Sequence, residues 1–447
     1  MSEELQLNQA QENKAVNLAL SKVPYPHLTG MVLSSDIHIN GLTLNTIDAN
    51  GIVWVCTDID GWWNLSTPSI PDIQRGLDDG SYAVRGRWTA RSLTLTGSIL
   101  VPDASYTAAA RQTLMEAVNL VYDGGWLKVD ESPTKAAFVY LAGQPMMTAV
   151  NRRGRIDFSI PLRVPDPIKY SWNPGDLEGY DSSSITSGTI LVNDGNANVS
   201  GIYTVTGPIT APAYIVNTGP DDSTQTIKIV KDLRTNAYYA NVSNSELSSG
   251  IATLTVPNHN FYVDDVVTIA NVSSNYNATD AIVTAVTSST VSYAKTVANI
   301  VSITHSSNTA TITTDGNHGL SNGTAIYIGG SSNPFLDGAG VVANTANTTF
   351  TITKTMSNQA TGYGGAVSKQ ISSAAITGTV TLKNTDTLEI DTYNNTVLYR
   401  GLPDSSRSTL AVNVDWIKLL PGINTFTFSK QAGAGTCSVQ YRSGWIG

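Results

Sequence analysis

An internal repeat constrains this chain more than any other feature. The stretch "ATLTVPNHNFYVDDVVTIANV", from Ala252, aligns with "ATITTDGNHGLSNGTAIYIGG", from Ala310. "TSSTVSYAK" (287–295) then aligns with "ANTTFTITK" (346–354), and from His259 onward the offset is a constant 59 residues. His318 thus matches His259, and Ile352 matches Tyr293. Each copy alternates aliphatic or aromatic residues with Thr and Ser in short runs broken by Asn, Asp and Gly. That is the period-2 pattern of half-buried strands. Each copy is long enough for a small barrel or sandwich. Two tandem copies with Ser-rich borders, at 249–306 and 307–368, read as an insertion into a larger domain.

The same strand chemistry runs through the rest of the chain. Charged residues make up 14% of the 447, so polarity comes from Ser, Thr, Asn and Gly, with Val and Ile between them. This mixture suits β-rich folds with many turns. "MVLSSDIHINGLTLNTID", "GIVWVCTDIDGWW", "WTARSLTLTGSIL", "GWLKVDE", "KAAFVYLAG" and "GRIDFSIPLRVPDP" read as strands. One internal helix is predicted in "DASYTAAARQTLMEAVNLVYDGG". Asp103 or Ser105 caps its start, Ala109, Leu114, Val118 and Val121 form its apolar face, and Gly124 and Gly125 stop it. Residues 28–170 therefore form an α+β domain. A second helix is expected at 4–22, ended by Pro24 and Pro26, as an N-terminal arm (1–27) with a thin apolar face. The polar stretch 171–196 reads as a linker. A second β domain begins at 197–248 and resumes at 369–447, so the repeats interrupt it. The fold class is mainly β with some α.

The chemistry sought is mostly not found. The net charge of −9 argues against a dedicated nucleic-acid binder, which needs a basic face to displace counterions. Cys56 and Cys437 stand far apart without metal-ligand spacing, so two buried free thiols are expected rather than a disulfide or zinc site. The polar N-terminus has no signal-peptide core, and no run approaches about eighteen apolar residues, so folding in a cytoplasm is expected. Asp58 and Asp60 share one face of a strand, as a metal pair or an acid and base require. "DIDGWWNLSTPS" lacks the further oxygen ligands of a calcium loop, so the pair is expected at a surface. His259 and His318 each follow an Asn at a turn, and with no second ligand at metal spacing their rings are expected to bond nearby backbone. No phosphate-binding loop, nucleophile elbow or zinc-protease signature is present. No catalytic, cofactor-binding or metal residues are assigned. Arg85, Arg87 and Arg91 alternate as if on one strand and are expected to meet acidic residues of a neighbouring subunit. With Trp62 and Trp63 they form the candidate subunit interface.

The order of segments then becomes specific. A strand ending at Gly61–Trp62, a "G.DG" loop from Gly76 to Gly80, the "RSLTLTG" strand from Arg91 to Gly97, a helix, and the "DPIKY" step from Asp166 to Tyr170 follow in turn. This order resembles the distal tail proteins of long-tailed, non-contractile bacteriophages. The C-terminal half resembles the second, galectin-like β-sandwich domain of the same family. It carries that domain's "LEIDT" step from Leu388 to Thr392, its "LLPGIN" turn from Leu419 to Asn424, and the ending "VQYRSGW". The helical arm and the twin repeats lie outside the family pattern.

The resemblance implies a non-enzymatic virion protein at the tail tip, made in the host bacterial cytoplasm. It implies a homo-oligomeric ring, usually hexameric, with residues 28–170 as the belt around the channel that DNA traverses. Tail tube, tail-tip hub, and receptor-binding or side-fibre proteins are the implied partners. Two other readings stand beside it. One is a carbohydrate-binding adhesin that uses the sandwich and repeats on a host cell-surface glycan. The other is a glycan hydrolase, which needs two carboxylates about 5–10 Å apart across a groove.

Overall fold

The computed structural model describes residues 36–447 except 77, 83, 150–153, 375–376, 400–401, 404–410 and 413–415. The helical arm expected at 4–22 lies outside the described residues. The described chain is mainly β, with one α-helix, and its buried apolar residues gather into four cores. None of its helices is long and apolar enough to cross a membrane.

The first core belongs to an antiparallel sheet. Its strand order is Leu42–Leu44, Ile37–Ile39, Gly125–Val129, Lys135–Leu141, Arg155–Val164, Arg91–Leu100, Val53–Asp60 and Thr46–Ile47. Alternation in "RIDFSIPLRV" places Ile156, Phe158, Ile160, Leu162 and Val164 inward, and the whole strand pairs with Arg91–Leu100, Ile160 opposite Leu95. Gly97 has a steric reason. A Cβ there would lie 2.0 Å from Val55 O and 2.4 Å from the Phe158 ring, so no larger residue fits between these strands.

The helix differs from its sequence expectation at both ends. Asp103 caps a short 3₁₀ turn, Ala104–Tyr106, accepting from Ser105 N–H at 2.8 Å, and the α-helix spans only Thr107–Ala117. Its buried face is Ala110, Leu114 and Ala117, while Ala109 and Val121 are exposed. It stops well before Gly124 because the chain is captured. Leu120 turns inward and its carbonyl accepts from Leu141 N–H at 3.1 Å. Burial of Leu120 against the sheet outweighs another helical turn.

The stretch 171–196 is not only a linker. Asp181–Ile185 and Ser187–Asn193 are strands, one in each sheet of the following β-sandwich. One sheet orders Asp181–Ile185, Thr436–Tyr441, Val199–Thr206, Thr387–Asp391, Thr396–Tyr399 and Leu402–Pro403. The other orders Ser187–Asn193, Gly422–Ala432, Thr210–Thr218, Thr224–Ile229 and Ala411–Val412. Tyr203 and Phe426, both fully buried, meet between them at 6.0 Å. The serine run "DSSSI" hid a strand whose inward residue, Ile185, comes last.

The repeats are nested rather than tandem. The second forms a sheet that closes on itself. Thr309–Thr314, Thr349–Thr353, Gly338–Ala343, Ala325–Gly329, Ala366–Lys369 and Ala298–Ser306 pair in order, and the last pairs back to the first. The first repeat's sheet runs Tyr239–Val242, Gly378–Leu382, Val266–Ala270, Ala278–Val286, Thr290–Ala294, Ile251–Thr255, Asn244–Ser248 and Ile371–Ala374. Its last two strands in chain order follow the second repeat. The boundaries at 249, 306 and 369 therefore fall at the wrong strands. Ala298–Ser306 serves the second repeat, and Ile371–Ala374 and Gly378–Leu382 complete the first rather than the sandwich.

The repeat histidines tie turns to strands. His259 Nε2–H donates to Thr290 O at 3.1 Å, and its Nδ1 accepts from Phe261 N–H at 3.1 Å. His318 does the same with Thr349 O at 3.3 Å and Leu320 N–H at 3.0 Å. Both rings are thus neutral Nε2–H tautomers with each nitrogen occupied by backbone.

Candidate assembly surface

Residues 61–90 leave the first sheet between two strands that pair with each other, Val53–Asp60 and Arg91–Leu100, and so form an arm with adjacent ends. Gly61 starts it at φ +84°, where a Cβ would lie 2.5 Å from Ser92 O. Trp62 is fully buried at the root. Its carbonyl accepts from Arg91 Nη1 at 2.8 Å and Lys169 Nζ at 3.0 Å, and its Nε1–H donates to Glu131 at 2.7 Å. Arg91 also donates to Pro167 O at 3.0 Å, and Glu131 pairs with Lys135 at 2.7 Å. Two cations on one carbonyl, with one carboxylate nearby, hold the arm to the sheet in a dry environment.

Lys169 feels this burial. Desolvation pushes its ammonium down to about 8 from 10.5, with Glu131 opposing and Arg91 and Lys135 assisting. Between about pH 8 and 10.5 the unfolded chain keeps a proton that the folded chain has released, so this group makes stability rise with pH there. Lys169→Met is expected to remove that rise while Arg91 keeps the carbonyl bond. The difference between wild-type and variant urea midpoints across pH 7–11 is the check, and parallel pH curves would refute it.

Beyond the root, two-residue strands Pro68–Ser69 and Arg87–Trp88 pair, and Gln74 bridges Ser81. Trp63, Leu65, Ile70, Ile73, Tyr82 and Trp88 are all exposed, from 42% for Trp88 to 65% for Ile70. Arg75, Arg85 and Arg87 are exposed among them. A contiguous run of large apolar side chains with arginines is the composition of an interface rather than of a solvated loop.

The structure thus divides the five sequence candidates. Trp63, Arg85 and Arg87 lie exposed on the arm. Trp62 and Arg91 are buried at its root, where they position it. The three arginines do not share one strand: Arg85 precedes Arg87–Trp88, that strand ends at Trp88, and Arg91 opens the next strand. Leu65, Ile70, Ile73, Tyr82 and Trp88 were not singled out from the sequence. Their signal was a long connection, rich in apolar residues, between two strong strands. Asp58 and Asp60 are exposed, with a bulge between Cys56 and Asp58. Cys56 and Cys437 are buried free thiols, each pushed up to about 12 by burial.

The chain's last residues return to this region. Gly444–Trp445 pairs with Lys169–Ser171, which pairs on its other side with Lys135–Leu141. A Cβ on Gly447 would lie 3.1 Å from Leu65. The end of the sandwich thus extends the first sheet and touches the arm.

Residues 343–445 match the family model described as the C-terminal domain of the siphovirus-type tail component. This part of the chain is similar to the C-terminal domain of a siphovirus-type tail component. The matched segment covers the closing strands of both repeats and the sandwich strands after Thr387. Two solved structures share a low level of similarity with this chain. The crystal structure of SPP1 Dit (gp 19.1), titled a paradigm of the hub adsorption apparatus in phages infecting Gram-positive hosts, has 9% identity and a TM-score of 0.40. It covers 92% of this chain and 98% of that one. The phage P2 baseplate in its activated conformation with Ca has 9% identity and a TM-score of 0.25, over 91% and 97%. No curated protein matches this chain.

Proposed function

We propose that this protein is a phage tail component that forms a closed homo-oligomeric ring, of hexameric type, at the distal end of the tail tube. The first sheet and its helix are the belt around the channel through which DNA passes. The sandwich and its nested repeats project outward and hold tail-tip hub, receptor-binding or side-fibre proteins. The observation that supports this reading is the arm. Its six exposed apolar side chains need a partner surface, and its buried root presents them rigidly. The next copy in a ring supplies such a surface to every arm at once, since a heterologous contact closes when its rotation is a whole fraction of a turn. Arg85 and Arg87 set the register against acidic residues of that copy.

The test is direct. The full chain is expected to form rings in negative-stain images, with a matching mass by analytical ultracentrifugation. Changing Trp63, Leu65, Ile70 and Trp88 together to Ser is expected to give folded monomers, because all four are exposed. Each buried anchor lost from such an interface costs about 1–3 kcal/mol. Rings that persist in the quadruple variant would remove the arm from the interface.

A further inference from the structure

We infer that the cleft between the first sheet and the sandwich binds a neutral saccharide. The cleft holds about 370 Å³, within the range of roughly 300–1,000 Å³ usual for small-ligand sites. One wall is the outer face of the first sheet. There Trp126 meets Phe138 edge to face at 5.2 Å, and Phe138 meets Tyr140 at 5.6 Å. The facing wall is sandwich backbone at Ser200–Ile202 and the turn Asp391–Asn394.

Arg442 lies in the lining and is only 7% exposed. Its guanidinium sits 3.7 Å from the Tyr180 ring centroid and 4.5 Å from that of Trp126. Its Nη2 donates to Glu178 O, but its Nε–H has no partner, and it joins none of the ion pairs among the described residues. Arg234, by contrast, is buried between two carboxylates.

The rim supplies the opposite chemistry. Asp391 accepts from Tyr393 N–H, Asn394 N–H and the Asn394 amide, and Asp166 accepts from Ile168 N–H and the hydroxyls of Tyr170 and Tyr393. A carboxylate offers about four acceptor sites, so each still has room for one donor. An anionic ligand would meet these two carboxylates, and a cationic one would meet Arg442. A neutral ring of hydroxyls satisfies both ends, accepting from the Arg442 guanidinium and donating to Asp166 and Asp391. Its C–H faces suit the aromatic wall. A sugar hydroxyl donates and accepts at one atom, as this arrangement requires.

The test uses the full chain and calorimetric titration with glucose, galactose, N-acetylglucosamine, maltose and lactose, followed also by tryptophan fluorescence. At least one is expected to saturate with a Kd below about 10 mM. Tyr393→Ala and Asn394→Ala, both at exposed positions, are each expected to weaken it about fivefold, leaving rings intact. Ring formation reads the assembly proposal separately, so failure of either is recognisable. Glucuronate, glucosamine and triglycine are the comparison ligands. The inference is overturned if no neutral sugar saturates in that range, if both variants bind like wild type, or if a comparison ligand binds more tightly than every neutral sugar.

Discussion

Arg234→Met is expected to loosen the nested repeats from the sandwich by about 3–5 kcal/mol, the usual cost of removing one partner of a buried ion pair. Arg234 is 4% exposed, its Nη1 lies 2.7 Å from Asp265 and its Nε 2.8 Å from Asp386, and both carboxylates are buried. Asp265 adjoins the first repeat's sheet and Asp386 precedes a sandwich strand. One guanidinium therefore clamps two cores, also donating to Asn260 O and lying 4.6 Å from the Tyr262 ring. The methionine fills similar volume but leaves two buried carboxylates without their cation. Urea unfolding and limited proteolysis near residues 235–240 measure the loss. Adding Asp265→Asn and Asp386→Asn is expected to recover part of it, since neutral amides cost less to bury than unpaired charges. A loss below about 1 kcal/mol in the single variant, the scale of a surface pair, would show that the clamp carries little.

The second large effect contrasts two excisions. Replacing residues 236–384 by a Gly-Ser linker of about four residues is expected to leave a sandwich that unfolds cooperatively. The two ends already touch: Asp386 N–H donates to Arg234 O at 2.8 Å, and Arg234 N–H donates to the Asp386 carboxylate at 2.9 Å. Removing 249–368, the boundaries suggested by the repeat alone, is expected to give aggregation. It strands Tyr239–Val242, Asn244–Ser248, Ile371–Ala374 and Gly378–Leu382, leaving Val242, Leu247, Val380 and Leu382 without the rest of their core. Exposed strand edges and apolar faces of that kind associate. Soluble yield and the sharpness of the melting transition distinguish the two. A well-folded 249–368 excision would mean that the four strands belong to the sandwich.

Much of this architecture was legible where the signal is local. The apolar run in "RIDFSIPLRV" marked the strand. The Asn-His turns, their rings facing backbone, followed from two copies at one offset. The helix was visible in composition, but its end was not. Gly124 and Gly125 are strong stop signals, yet Leu120 was already taken by the sheet edge at Leu141.

What the residues alone determined is which segments are strands and which face of each is apolar, because a period of two is a property of neighbours in sequence. Tertiary structure decided which strands share a sheet. "GTVTL" (378–382) has the pattern of a sandwich strand, but it pairs with Tyr239–Val242 and Val266–Ala270, because its Val380 and Leu382 complete that core. It decided likewise that Trp62 is buried and Trp63 exposed, although they are neighbours of one type. The carbonyl of the first is held by Arg91 and Lys169, residues brought to it only when the strands close. Burial is a sum over distant segments, and no local pattern contains it.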